Sequence, residues 1–511
     1  MAISTVSSIG RRVLFADTKE VSRENVVEII NAVKPDFLVN RMECDRLLVI
    51  ESGVMPLTRK KIIRPEIDVK TCDPVAHQIA SFWESYVWGA PIGLVARGLN
   101  DSGSDTENEG ITLLNECYSA ENVGSKQRAL GHFVEITGIG YTFIDIKGDW
   151  VEGDSYFELE TLDPRYAFVV RSSMYADHRI LLAITFREDA MGNTYYTAFS
   201  KDYRFEISND KVTSVTANPL RMIPIIEWER AKDRMGVFER EIPEMDRINL
   251  LLADISNNVE NAVQTIWHCS DVSFPHKVDE NGNETDEIDR PASGEWIVTE
   301  STKDGKTPFI KPLVVDCDYA GLLNNYKTSR SMILERTCTP QRSDNSGGST
   351  GSAMQSANGY ETAESCACAE QLLMEASKMA EVRVALEAIR RSNKLVEDNP
   401  LYKLRYMDCK PNVTRQKTYE MTVKTTALAN MLSHGINGLH AIKSIAFFDD
   451  VAQVWEDSKD LIEQYQRKTF GEDKEVEMSS TLPEYQIGNS PLIDGMQMVQ
   501  PKDMTDGVTT D

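Results

Sequence analysis

Apolar and polar residues mix at helical spacing in several stretches of the chain, and one stretch of its first half is instead a series of short β-rich runs. The first helical pattern is VSRENVVEIINAV (residues 21–33), with Ser22 placed as N-cap and Pro35 just beyond its end. DPVAHQIASFWESYVW (73–88) is the second, opened by Asp73 and Pro74 and closed by GAPIGL. A polar loop, LNDSGSDTENEG (99–110), precedes a third helix near 111–132. The period then shortens. VEITGIGYTFIDIKG (134–148) reads as two strands about a Gly turn, and FELETLD, YAFVVRSS, RILLAITFRED, TYYTAFSKD, YRFEIS and KVTSVTA continue the run. Short strands broken by GN, ND and DP signals predict an antiparallel sheet, so the first half is α+β.

The helical period returns after residue 224. Met245, Ile248, Leu252, Ile255, Val259, Val263 and Ile266 lie on one face. They predict a helix of roughly 25 residues, about 38 Å long. Its other face carries Arg247, Asp254 and Asn258, flanked by Asp246 and Glu260. An irregular stretch, Asp271 to Leu313, holds an acidic turn and two strand-like runs, EWIVTE and FIKPLVV. A second helix is expected over DCDYAGLLNNYKTSRSMILERTC (316–338). The β module between the two helices has about 45 residues, nearer an insertion than an independent domain. TPQRSDNSGGSTGSAMQSANG (339–359) follows and has almost nothing large to bury. Tyr360 to Val396 is a very long helix, LYKLRYMDC (401–409) a strand, and three more helices end near Phe470. The acidic tail from Gly471 has too few apolar residues to fold and is expected to be disordered.

Composition narrows the function. Against 80 acidic residues there are 55 basic ones, a net charge of −25. Such a chain repels nucleic acid non-specifically, and no basic stripe counters this. Weak, repulsive contact is compatible with DNA that slides past. The nine Cys are scattered and build no zinc set, so they are expected to be reduced, small and core-seeking, in a reducing compartment. No apolar run is long enough for a signal peptide or a membrane span. The GxG of GHFVEITGIGYT is not completed to GxGxxG, SGGSTGS lacks the phosphate-loop lysine, and neither HExxH nor GxSxG occurs. No enzyme, cofactor or metal is expected. On the second helix Lys327 and Arg330 share a face and Arg336 points nearly opposite. They form a solvated surface, pair with a neighbouring acidic helix, or in part border a DNA path, with a modest, salt-sensitive grip.

The order of these parts resembles the portal proteins of tailed bacteriophages, in particular the family common in phages of Gram-positive bacteria. ASFWESYVWGAPIGL (80–94) is similar to the family's helix and "G-x-P-I" turn, and GHFVEITGIGYTFIDI (131–146) to its helix-to-strand element. Most specific is MIPIIEWERAKDRMGVFEREIPEMDRINLLLADISNNVEN (222–261), which resembles an "iPiie" strand, a "G-x-F-E" step and a "D-x-N-x-x-x-S-x-x-x-N" helix. Arg230 stands where the family turn has Asn, and Asp246, Asn249, Asp254, Ser256 and Asn257 match that helix pattern only in part. SGGSTGSAMQSANG is similar to the "SG-x-A-(L/M)" that opens the family's helix after its tunnel loop.

The resemblance implies an α+β portal fold with a two-helix stem, a small α/β clip insert, a long wing helix, an α-helical crown and a ring oligomer. The parts would be the wing (1–237 with the long helix and strand of 360–414), stem helix 1 (238–268), clip (269–315), stem helix 2 (316–338), tunnel loop (339–359) and crown (415–470), before the tail (471–511). Arg342, Ser343, Asp344, Asn345, Ser346, Gly347, Gly348 and Ser349 would be the DNA-facing loop. Lys327, Arg330, Arg336, Asp246, Asp254 and Glu260 would line the stem channel or the subunit interface. The implied ring, of twelve copies by the family's habit, sits at one capsid vertex and passes double-stranded DNA. Its partners would be the terminase large subunit, the major capsid and scaffolding proteins and a head-completion adaptor, assembled in bacterial cytoplasm without a membrane. Another virion ring or connector protein of the head–tail interface is the alternative. A third reading, an intracellular enzyme, would need a metal or nucleotide requirement.

Overall fold

The computed structural model describes residues 10–54, 68–97, 105–263, 266–270, 272–273, 276–278, 284–288, 300–301, 309–313, 318–341, 359–394, 398–415, 421–445 and 451–470. Two compact units divide the chain, Met1–Lys417 and Thr418–Asp511. In chain order the first unit opens with β1 (Leu14–Ala16), α1 (Val26–Glu51), α2 (Val75–Val87), β2 (Gly93–Ala96), α3 (Asp105–Ala120) and α4 (Val123–Thr137). Strands follow as β3 (Ile139–Ile146), β4 (Phe157–Leu162), β5 (Ala167–Ser172), β6 (Ile180–Glu188), β7 (Thr194–Phe199), β8 (Tyr203–Ser208), β9 (Lys211–Ala217) and β10 (Ile225–Glu229). Next come α5 (Ile242–Val263), β11 (Ile266–Ser270), β12 (Val272–Ser273), β13 (His276–Val278), β14 (Glu284–Ile288), β15 (Glu300–Ser301), β16 (Phe309–Leu313) and α6 (Tyr319–Arg336). The unit closes with α7 (Tyr360–Arg391), α8 (Pro400–Lys403) and β17 (Cys409–Asn412). The second unit holds α9 (Met421–Ser433), α10 (Gly438–Ile445) and α11 (Val451–Phe470). The fold is mixed α+β, as its sequence pattern predicts.

The larger sheet has the order β1-β5-β6-β7-β8-β9 and is antiparallel except where β1 runs parallel to β5. The smaller one has the order β10-β3-β4. Side-chain alternation assigns their faces. Phe168, Val170, Leu182 and Ile184 pack with Ile30, Val33 and Phe37 of α1, while Ala167, Val169 and Ala183 pack with Ile139, Tyr141 and Ile225 of the smaller sheet. The smaller sheet turns Ile144, Phe157, Leu159, Ile226 and Trp228 into a third core shared with α2, α4 and α7. It is therefore the middle layer, between the large sheet and the helices.

Several elements differ from the sequence reading, each for a local reason. α1 does not stop before Pro35 but runs on to Glu51. An internal proline costs about 3 kcal/mol. Burying Phe37, Leu47 and Ile50 beyond it is worth about 1.5–3 kcal/mol each. The single helix expected near 111–132 is two, separated at Asn122, a residue type that tolerates the left-handed conformation found there (φ 54°). VEIT is the end of α4 rather than a strand. Gly138 (φ +78°) stops that helix, and a Cβ there would lie 2.5 Å from the Arg234 backbone. LYKLRYMDC forms α8, whose cap Asn399 accepts from the Leu401 N–H at 2.9 Å, and only at Cys409 becomes a strand, β17, paired with β2.

The helix placed at 238–268 ends at Val263, and Ile266 and His268 belong to β11, paired with β16 in the register Ile266↔Leu313 to Ser270↔Phe309. The insert expected to be α/β contains only strands among its described residues. The long helix ends at Arg391, not Val396. The tail 471–511 lies outside the described residues. In the second unit, α10 meets α11 where Gly438 faces Trp455 and Ile462, and Gln466 Nε2 donates to the Ile436 carbonyl at 2.7 Å.

Candidate functional site

α5 and α6 bury Ile242, Met245, Ile248 and Ala253 from the first and Ile333 and Leu334 from the second. Two amides share the buried stripe of α5: Asn249 at 0% exposure and Asn257 at 2%. A buried amide must be hydrogen-bonded or it destabilises the fold. Both find their partners in one strap, the residues leading into α2. Asn249 Oδ1 accepts the Asp73 N–H at 2.8 Å. Asn257 Oδ1 accepts the Val69 N–H at 2.8 Å, and its Nδ2 donates to the Val69 carbonyl at 3.4 Å.

Asp73 continues the chain of contacts into α6. Its carboxylate accepts from the Tyr326 hydroxyl at 2.6 Å and from Arg330 Nε at 3.0 Å. A second arm of Arg330 donates to Gln78 Oε1 at 2.5 Å. Burial, and donation to the Asp73 carboxylate, push the Tyr326 hydroxyl up to about 12. Strap, α2, α5 and α6 thus form one hydrogen-bonded assembly.

The other charges of the helix pair are distributed unevenly. Arg247 Nε donates to both Glu244 oxygens at 3.0 Å, and its guanidinium also donates to Ser329 Oγ. Arg336 pairs with Glu241 at 3.3 Å. Lys327 is exposed and makes no ion pair among the described residues. Asp246 is exposed, while Asp254 and Glu260 are half-buried. Lys327 and Arg330, adjacent on one face in the sequence reading, therefore differ: one faces solvent and the other is held. Val259, Tyr319, Leu323 and Met332 leave apolar surface on the same two helices.

Arg342 through Ser349 lie outside the described residues, but the turn leading to them is described. Trp83 Nε1 donates to the Thr337 carbonyl at 3.1 Å, the Thr339 N–H to Leu334 at 2.8 Å, and Gln341 exchanges two hydrogen bonds with Ser331, each 2.8 Å. On the far side, Gly359 (φ +85°) precedes α7.

Arg230, the departure in the turn after β10, has its own partners. Its Nε lies 3.1 Å from Glu135 Oε2 and 3.7 Å from Glu370 Oε2, and its guanidinium sits 5.9 Å from the Trp83 ring centre. Trp88 Nε1 donates to Glu135 Oε1 at 3.1 Å. Burial first, and then the Glu135 carboxylate, hold the Glu370 carboxyl well above its ordinary range, with Arg230 opposing. The Gly of the "G-x-F-E" step is dictated by close approach: a Cβ on Gly236 would lie 1.9 Å from the Ile136 carbonyl oxygen. Among the described residues no group of three His, Cys, Asp or Glu is placed to hold a metal, and no helix is long and apolar enough to cross a membrane.

A profile of the phage portal proteins, SPP1 Gp6-like, matches residues 73–468. The chain belongs to the phage portal protein family. No curated protein matches it. Its function is that of a phage portal protein, a virion component of DNA packaging, and the family is structural rather than enzymatic. The matched region begins at Asp73, the residue on which Tyr326 and Arg330 converge, and takes in both helices of the pair and α7. Two features of this portal protein escaped the sequence reading. The clamp by Asn249 and Asn257 was signalled only by amides eight apart on an apolar stripe. The Arg230–Glu135–Glu370 cluster joins three distant segments and left no local pattern.

Proposed function

We propose that the chain assembles into a closed ring at one capsid vertex and forms the channel for double-stranded DNA during packaging and ejection. In this reading α5 and α6 are the stem, residues 269–315 the clip, 339–359 the tunnel loop and 415–470 the crown. The wing comprises residues 1–237 with the long helix and strand of 360–414. The ring docks the terminase large subunit during packaging, contacts capsid and scaffolding proteins during assembly, and later receives the head-completion adaptor. Assembly takes place in the host cytoplasm.

The observation that carries the proposal is the order of parts inside the family match: helix, β insert, helix, Gly/Ser-rich segment, long helix. Exposed apolar residues on both stem helices support a contact with the next copy, since a head-to-tail interface that closes makes a ring. The charge balance of −25 suits a wall past which DNA slides. Negative-stain imaging of purified protein tests the ring: particles with a central hole are expected, and monomers or dimers at every concentration would refute it. Deleting residues 343–352 is expected to leave rings intact and stop packaging or retention of DNA. Normally filled heads from that deletion would overturn the loop assignment.

A further inference from the structure

Cys338 and Cys366 stand on opposite sides of the Gly/Ser-rich segment, and their sulfurs meet. Cys338 lies two residues past α6, in the left-handed region (φ +54°), and Cys366 in the second turn of α7. Their Sγ atoms are 2.8 Å apart. That is well inside the contact distance of two sulfurs, and a disulfide needs about 2.05 Å. Both backbones are held independently of the thiols. Thr337 and Thr339, on either side of Cys338, are buried, with Thr337 Oγ1 donating to Ile333 at 2.9 Å and the Cys338 N–H donating to Glu335 at 3.0 Å. Ala363 and Ala367, which bracket Cys366 on α7, are fully buried. The remaining thiol in this neighbourhood, Cys368, is exposed and engaged with Glu364 and with Arg415 at 3.2 Å.

We infer that Cys338 and Cys366 are a disulfide-forming pair that oxidation closes into a covalent staple between the end of α6 and the start of α7. The co-reactant is a low-molecular-weight disulfide. The Cys366 thiolate attacks one of its sulfurs and releases one small thiolate, leaving a mixed disulfide on Cys366. The deprotonated Cys338 then attacks the Cys366 sulfur, forming the protein S–S bond and expelling the second small thiolate. Two protein thiols lose two protons and two electrons, and the small disulfide is reduced to two thiols. Burial and the adjacent Cys366 push the Cys338 thiol up to about 12, so closure is slow at neutral pH and quickens as pH rises. In a reducing compartment the pair stays as thiols; outside one, it joins the two ends of the segment from 339 to 365. The staple does not depend on the portal reading and would form in a protein of any function with this fold.

The test uses the full chain treated with glutathione disulfide at pH 7 and pH 9, quenched with acid, alkylated in denaturant and digested with trypsin. The expected product is peptide 337–342 linked to peptide 343–378, two mass units below the sum of the free peptides and formed faster at pH 9. Because the second peptide carries both Cys366 and Cys368, Cys368→Ser is expected to retain the link and Cys366→Ser to lose it. Glutathione adducts on Cys366 with no linked peptide would overturn the inference. So would a link that survives Cys366→Ser and disappears in Cys368→Ser, or full alkylation of Cys338 under every condition.

Discussion

Replacing Asn249 with Ala removes the acceptor of the Asp73 N–H and leaves that group with no partner among the described residues. An unsatisfied buried donor costs about 1–3 kcal/mol. The loss falls on local opening of the strap, not on the whole protein, whose two units rule out a single unfolding free energy. Lowering the opening energy by that amount accelerates amide exchange at Asp73 by about 5- to 140-fold. The two amides should differ in effect. Val69 is itself exposed, so water can replace Asn257, and Asn257→Ala should act at the low end of that range. The Asp73 N–H abuts the buried start of α2, where Val75 is fully covered, so Asn249→Ala should act toward the upper end. Hydrogen exchange with peptide-level mass spectrometry over residues 68–78 measures both. Asp246→Ala, on the exposed side of α5, is the control. Unchanged exchange at Asp73 in Asn249→Ala, or equal acceleration in the control, would refute the clamp.

The stem charges separate in the same way. Lys327→Ala should leave thermal stability unchanged, whereas Arg330→Ala, which strips Asp73 and Gln78 of a partner, should cost about 1–2 kcal/mol after solvent screening. If Lys327 borders the DNA path, its loss lowers packaging in heads that still assemble; unchanged packaging removes it from that role. Gly236→Ala should cost about 3 kcal/mol, the upper end of overpacking costs, because the new methyl meets the Ile136 carbonyl oxygen. A wild-type melting temperature for that variant would disprove the close approach.

His132 is held above its ordinary pKa by its hydrogen bond to Glu84, with burial opposing, and Arg128 and Glu51 also act in this neighbourhood. A raised histidine stabilises the fold fully below about pH 6.5 and loses that contribution as pH climbs through its folded value. His132→Gln should therefore lower the melting temperature at pH 6 and have little effect at pH 8.5, and a pH-independent effect would contradict the pairing.

Where a segment's neighbours in sequence are also its neighbours in space, the residue pattern alone was enough. Short β-rich runs broken by turn residues located β4 to β9, three- and four-residue steps located α5, and helical stretches were legible over α2, α6 and α7. The order of those parts, with a β insert between two helices, was already sufficient to point to the family. Periodicity failed where local preference and packing disagreed. Pro35 predicts an end that the apolar residues beyond it override, VEIT fits either period in so short a run, and the helix of 242–263 stops at a two-stranded ribbon whose partner lies some forty residues on. The fate of individual polar residues was out of reach for the same reason. Arg330 and Lys327 are equivalent along the chain, and only the arrival of Asp73 from the strap before α2 gives one a carboxylate partner and leaves the other in solvent. Asn249, Asn257 and the Arg230–Glu135–Glu370 cluster likewise acquire their roles from segments brought beside them. A hydrogen bond depends on where two atoms end up, and chain spacing specifies that only within one turn or one strand pair.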